Sequence, residues 1–133
     1  MPDLVSYDYA VVRVVPSVER EEFINAGAVV FCAQRDWLEA KVELDEARLR
    51  ALAPSADVED IRRHLQAIPR ICAGGAEAGP IGALSRKERW HWLVAPRSTI
   101  IQVSPVHSGL CQSAEEALER VLNTAVRTAS PAP

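Results

Sequence analysis

The chain is predicted to fold as a single α+β domain, residues 1–133, with a small, mostly antiparallel sheet of about four strands and helices packed on one side. Three observations predict it. Apolar and charged residues alternate along Trp37–Leu44, which is the period of a strand with one wet face. Apolar residues recur at helical spacing along Val58–Ile68 and Ala114–Ala125, each behind a capping residue. The elements follow in the order β-β-β-α-α-α-β-α, which points to a sheet with helices layered on it.

Tyr7–Val15 is rich in β-branched and aromatic residues and ends at Pro16, so it reads as the first strand. Ala26–Ala33 is a short apolar run, expected as a strand buried on both faces. The segment Gln34–Asp36 suits a tight turn, which makes a hairpin of this strand and Trp37–Leu44. Asp45 is placed to cap a short helix, Glu46–Ala53, with Leu44 and Leu49 as a hydrophobic staple and Pro54 as its stop. Asp57 caps the next helix, expected to kink or end at Pro69, whose missing N–H cannot bond the carbonyl of Leu65. Ala73–Gly82 holds four of the six glycines and reads as a flexible loop, the candidate for a mobile lid. Ser85 and Glu88 form a capping box opening a short helix, Arg86–Val94. Thr99–Val106 is expected as the fourth strand, and Ser113 with Glu116 opens the final helix.

Composition bounds what such a domain does. With 48% hydrophobic and 25% charged residues the chain is ordinary for a globular protein, and disorder is expected only at Met1–Leu4 and Ser130–Pro133. A chain of this length buries roughly two-thirds of the surface its unfolded form exposes, so neither metal nor disulfide is needed to fold it. The net charge of −3, with both signs mixed along the chain, argues against a general nucleic-acid binder. No apolar run reaches the roughly 20 residues a membrane span needs, and there is no signal-peptide h-region, so a cytoplasmic location is expected. The three cysteines, Cys32, Cys72 and Cys111, form no CxxC pair and sit beside apolar segments, as small buried hydrophobes of a reducing compartment do. His64, His91 and His107 have no His or Cys neighbour at metal-ligand spacing, so no metal site is expected. There is no P-loop, dinucleotide fingerprint or G-x-S-x-G elbow, so no cofactor is implied and catalytic residues stay unassigned.

One stretch is chemically distinctive: the polar connection from Arg13 to Gly27 between the first two strands. Arg13 lies inside an apolar strand and calls for a partner such as Glu22. Asn25 is suited to bonding loop amides, and Gly27 to a positive φ or a close backbone approach. The spacing R-x-x-P-x-x-x-R-x-E-x-x-N-x-G, carried here by Arg13, Pro16, Arg20, Glu22, Asn25 and Gly27, resembles the bacterial family called domain of unknown function 3037. The later stretch Ala95–Pro105 and Gly109 are similar to that family too, so the resemblance runs from about Tyr7 to Val126. Val14 replaces the family's usual aromatic, and Ala26 and Ala28 stand where valines are common; these swaps concern packing. Genes of the family tend to accompany a HipA-like kinase, so the resemblance implies a kinase-like partner and a non-catalytic accessory role.

Two uses of the connection stay open. Arg13, Arg20, Glu22 and Asn25, joined by Arg97, could bind a partner, or could form the anion site of a small enzyme or ligand-binding domain, because guanidinium groups grip carboxylate and phosphate bidentately. Equally, an Arg–Glu pair and an Asn-capped turn could simply fix the start of the hairpin. In Arg86–Leu93, basic and aromatic residues mix as in strand-binding proteins; the packing alternative buries Trp90 or Leu93 and leaves Arg86, Lys87 and Arg89 on the surface.

Overall fold

The computed structural model describes residues 3–128; the expected tail disorder at Ser130–Pro133 lies outside them. Its organising element is β1 (Val5–Val14), a strand long enough to pair with three others. β2 (Ile24–Cys32) runs antiparallel along one side of β1, and β3 (Trp37–Val42) continues the sheet beyond β2. On its other side β1 changes partner midway. β5 (His107–Cys111) pairs with Val5–Tyr9, and β4 (Ile101–Val103) pairs with Val12–Val14. Between them Val11 has no strand partner; Ser104 takes its place, accepting from the Val11 N–H through Oγ and donating its own N–H to the Val11 carbonyl, both at 2.8 Å. Five strands result among the described residues, one more than expected, because His107–Cys111 was not recognisable as a strand.

The helices form as their caps dictate. Asp45 and Asp57 accept from the backbone N–H groups of Arg48 and Asp60, opening α1 (Glu46–Leu52) and α2 (Val58–Ala73). Ser85 and Glu88 make a reciprocal capping box on α3 (Arg86–Val94), and Ser113 caps α4 (Ala114–Val121), which runs on into a π-helical turn, Leu122–Val126. Two expectations are corrected. α2 does not end at Pro69; it continues one turn, since that turn buries Ile71 and Cys72 and Arg89 holds the Cys72 carbonyl. The glycine-rich stretch is folded rather than an open lid. Ala76–Ala83 makes tight 3-10 turns, Ala78 and Ile81 pack on the core, and a Cβ on Gly82 would lie 2.0 Å from the Gly75 carbonyl.

The helices cover both faces of the sheet, not one. Ala10, Val12 and Val14 of β1 with Val29 and Phe31 of β2 face α1, α2 and α3, where Leu49, Leu65 and Trp90 are buried. Tyr7 and Val11, with Ala28, Val30 and Cys32, face α4, where Leu118 and Leu122 close a second core. The cause is β2, which has apolar side chains on both faces and so needs a layer on each. At about 1.5–3 kcal/mol for each large aliphatic side chain buried, neither face can be left wet. Gly27 does not use a positive φ; it allows close approach, since a Cβ there would sit 2.6 Å from the Lys41 carbonyl of β3.

Candidate functional site

The residues of the polar connection do not converge; they go to separate places. Arg20 and Glu22 pair with each other on the surface, the Arg20 Nε donating to Glu22 Oε1 at 2.6 Å. They line a cleft of about 420 Å³ near the α1–α2 turn. The other charged groups lining that cleft are Asp57 and Asp60, so it is acidic on balance and poorly suited to an anion. Arg97 folds back on α3, donating to the carbonyls of Trp92 and Leu93 with its guanidinium 4.0 Å from the Trp92 ring. That is the work of a C-terminal helix cap.

Arg13 and Asn25 stay together on the α4 face. A bulge makes this so: the β1–β2 register passes from Val12↔Gly27 to Arg13↔Asn25, skipping Ala26. Without that extra residue Asn25 would point to the α1–α3 face; with it, Asn25 sits beside Arg13 and over α4. The expected Arg13–Glu22 pair does not form, because Glu22 is taken by Arg20. Arg13 instead rests its guanidinium 4.2 Å from the exposed ring of Phe23, and it has no ion-pair partner among the described residues. Nor does Asn25 bond loop amides: its Nδ2 donates to the Ala125 carbonyl in the π-helical turn after α4, 2.9 Å away. The Arg13 Nε and the Asn25 Oδ1 are both buried without a hydrogen-bond partner.

Both residues line a cleft of about 220 Å³ between β1 and α4. Tyr7, Tyr9 and Val11 continue the wall along β1, and Arg120, Val121 and Thr124 close it from the helix side. Tyr9 lies against Tyr7 and His107, with ring centroids 5.9 and 5.3 Å apart. Gly109 leaves room for the Tyr7 ring, which a Cβ there would meet at 2.9 Å. Ser104 lines the cleft too, but its hydroxyl is already used on Val11 and Pro105. The lining holds two guanidinium groups and an imidazole but no carboxylate, and Arg120, like Arg13, has no ion-pair partner among the described residues. A protein of net charge −3 thus carries a cationic recess here. Tyr7, Tyr9, Val11 and Arg13 share a face by period two, a signal present in the sequence; His107 and Arg120 were missed because only β5 pairing and the placement of α4 bring them there.

Other candidates are accounted for by packing. Trp90 is buried against Phe31 and Leu93 is buried beside it, while Trp92 is exposed. Arg89, expected on the surface, is buried, with Nη atoms donating to the Leu84 and Cys72 carbonyls and so tying the ends of the glycine-rich segment together. Burial pushes the Cys72 thiol up to about 12, and it raises Cys111 as well, so neither is an activated nucleophile. Among the described residues no group of three or more His, Cys, Asp or Glu is placed to hold a metal ion, and no helix is long and apolar enough to cross a membrane.

The polar set Arg13, Pro16, Arg20, Glu22, Asn25 and Gly27 falls within a family match. The family described as "Protein of unknown function (DUF3037)" covers residues 9–126, most of the chain. This protein belongs to the DUF3037 family. No curated protein and no solved structure matches it. The DUF3037 match includes the whole cationic cleft except Tyr7.

Proposed function

We propose that this DUF3037 protein is a small-ligand-binding domain whose β1–α4 cleft holds a small organic anion. The observation that carries this is the Arg13 guanidinium: unpaired, with a buried and unsatisfied Nε, in a recess shared with Arg120 and His107 and free of carboxylates. The aromatic and aliphatic walls of Tyr7, Val11 and Val121 suit a short apolar body behind the anionic group. At about 220 Å³ the cleft is smaller than the usual range of about 300–1,000 Å³, which limits the ligand to a small one. Titration of the labelled protein with phosphate, sulfate, acetate and benzoate at low ionic strength, followed by amide NMR, tests it. Saturable shifts along β1 and α4 are expected, weakened by roughly tenfold or more in Arg13→Met and in Arg120→Gln, as loss of a charge-assisted hydrogen bond implies. Absence of saturable shifts for all four anions, or equal affinity in both variants, refutes it.

The accessory role beside a HipA-like kinase is a second proposal, favoured by one surface. Val106 and Leu110 are exposed at the β4–β5 edge, at 45% and 61%, where no strand pairs with the outer side of β5 among the described residues. Exposed apolar edges of this kind suit a protein partner. Co-elution with a HipA-like kinase of the same genome, lost in Leu110→Asp, supports it; independent elution of the two wild-type proteins opposes it. The three buried, unpaired cysteines support the bacterial cytoplasm as the compartment for either role.

A further inference from the structure

We infer that Phe23 and Asn25 are positioning residues for Arg13, which rests on Phe23 in the unliganded protein and turns to donate its Nε–H to Asn25 Oδ1 when an anion binds. The inference rests on the anion-binding reading above and adds a mechanism to it. Arg13 and Asn25 are cross-strand partners on one face, and Phe23 is the diagonal neighbour two residues before Asn25. All three side chains therefore reach the same spot. In the structure the guanidinium leans toward the rim, 4.2 Å from the Phe23 ring, and Phe23 itself is 43% exposed and outside the cleft lining.

This posture leaves a donor and an acceptor unsatisfied on two cross-strand partners. The bond from Asn25 Nδ2 to the Ala125 carbonyl sets the amide orientation, since a flipped amide would put Oδ1 against another acceptor. Asn25 Oδ1 is thereby presented as an acceptor with no partner, beside an Arg13 Nε–H with no partner. Neither atom is exposed at the surface. A modest rotation of the Arg13 side chain off Phe23 would join the two and turn the Nη1/Nη2 edge of the guanidinium toward the cleft. That edge is the fork that grips a carboxylate or phosphate bidentately. The ring face meanwhile holds the guanidinium at the rim of the cleft. Binding then has to displace the cation–π contact, so the ring opposes the ligand by as much as it favours the resting posture.

Substitutions of Phe23 test this in opposite directions, at an exposed position that belongs to neither core. With inorganic phosphate and benzoate as probes, Phe23→Leu is expected to raise affinity roughly two- to fivefold, and Phe23→Trp, a stronger ring platform, to lower it by a similar factor. A second readout follows the nitrogen itself: in wild type the Arg13 Hε resonance should move downfield and gain protection as the probe saturates, and Asn25→Ala should abolish that change. Equal affinities in wild type, Phe23→Leu and Phe23→Trp, or an Hε resonance indifferent to a probe that binds, overturn the positioning while leaving the anion site standing. If neither probe binds the wild-type protein, both readings fall together.

Discussion

Replacing Arg13 by Met separates a binding residue from a structural one by the sign of its effect on stability. The substitution keeps a flexible stem of similar length and removes the charge. It loses the contact between the guanidinium and the exposed Phe23 ring, a cost of about 0.5–1 kcal/mol. It also removes a buried Nε–H that has no acceptor, a group whose burial costs about 1–3 kcal/mol. No ion pair is broken, because Arg13 has none among the described residues. The unliganded protein should therefore be unchanged or more stable, by about 0–2.5 kcal/mol. Urea unfolding at neutral pH, in a buffer free of phosphate and sulfate and with unchanged slope, measures this directly. Adding a binding anion should then stabilise wild type by RT ln(1 + [L]/Kd) and leave Arg13→Met where it was. A loss of more than about 1 kcal/mol in the unliganded variant would show that Arg13 serves the fold, and the reasoning from its unsatisfied nitrogen would fail.

Two further predictions concern the frame that holds the cleft. Gly27→Ala puts a Cβ 2.6 Å from the Lys41 carbonyl, a backbone atom that cannot step aside, so the β2–β3 ladder should lose about 1–3 kcal/mol by urea midpoint; unchanged stability would contradict the close approach. Glu43 is held below the usual carboxylate range chiefly by its hydrogen bonds from Arg127, at 2.8 and 2.6 Å, which tie the end of the α4 segment to the sheet. Because the folded value is the lower one, this contribution is complete above the ordinary value of 4.5 and is lost as pH falls through the folded value. Glu43→Gln should accordingly flatten the acid limb of the stability–pH curve below about pH 4.5, and a variant curve parallel to wild type there would count against the tie.

Helix starts were readable because each is decided within four residues: Asp45, Asp57, Ser85 and Ser113 cap in the structure where their spacing places them. The hairpin of β2 and β3 was equally local. Its turn, expected at Gln34–Asp36, is a 3-10 turn at Ala33–Arg35 closed by Asp36 with φ 47°. Where the reading failed, distant residues decided. α2 crosses Pro69 because burial of Ile71 and Cys72 outweighs one lost hydrogen bond, and only the packed core supplies that burial. β5 is five residues of mixed polarity around Gly109; it becomes a strand by pairing with Val5–Tyr9, about a hundred residues earlier in the chain.

The same division runs through the candidate site. By itself the sequence determined that Arg13, Arg20, Glu22, Asn25 and Gly27 form a family signature and that Tyr7, Tyr9, Val11 and Arg13 share one face, since residue spacing and the two-residue period of a strand need no tertiary information. Only the tertiary structure decided that Arg20 keeps Glu22, that Arg97 caps a helix elsewhere, and that Arg13 and Asn25 meet Arg120 and His107. One skipped residue in the β1–β2 register turns Asn25 to the other face, and the doubly apolar β2 draws α4 over it. Register and layer choice are set by which buried surfaces fit together across the whole chain, and no local pattern of residue types carries that choice.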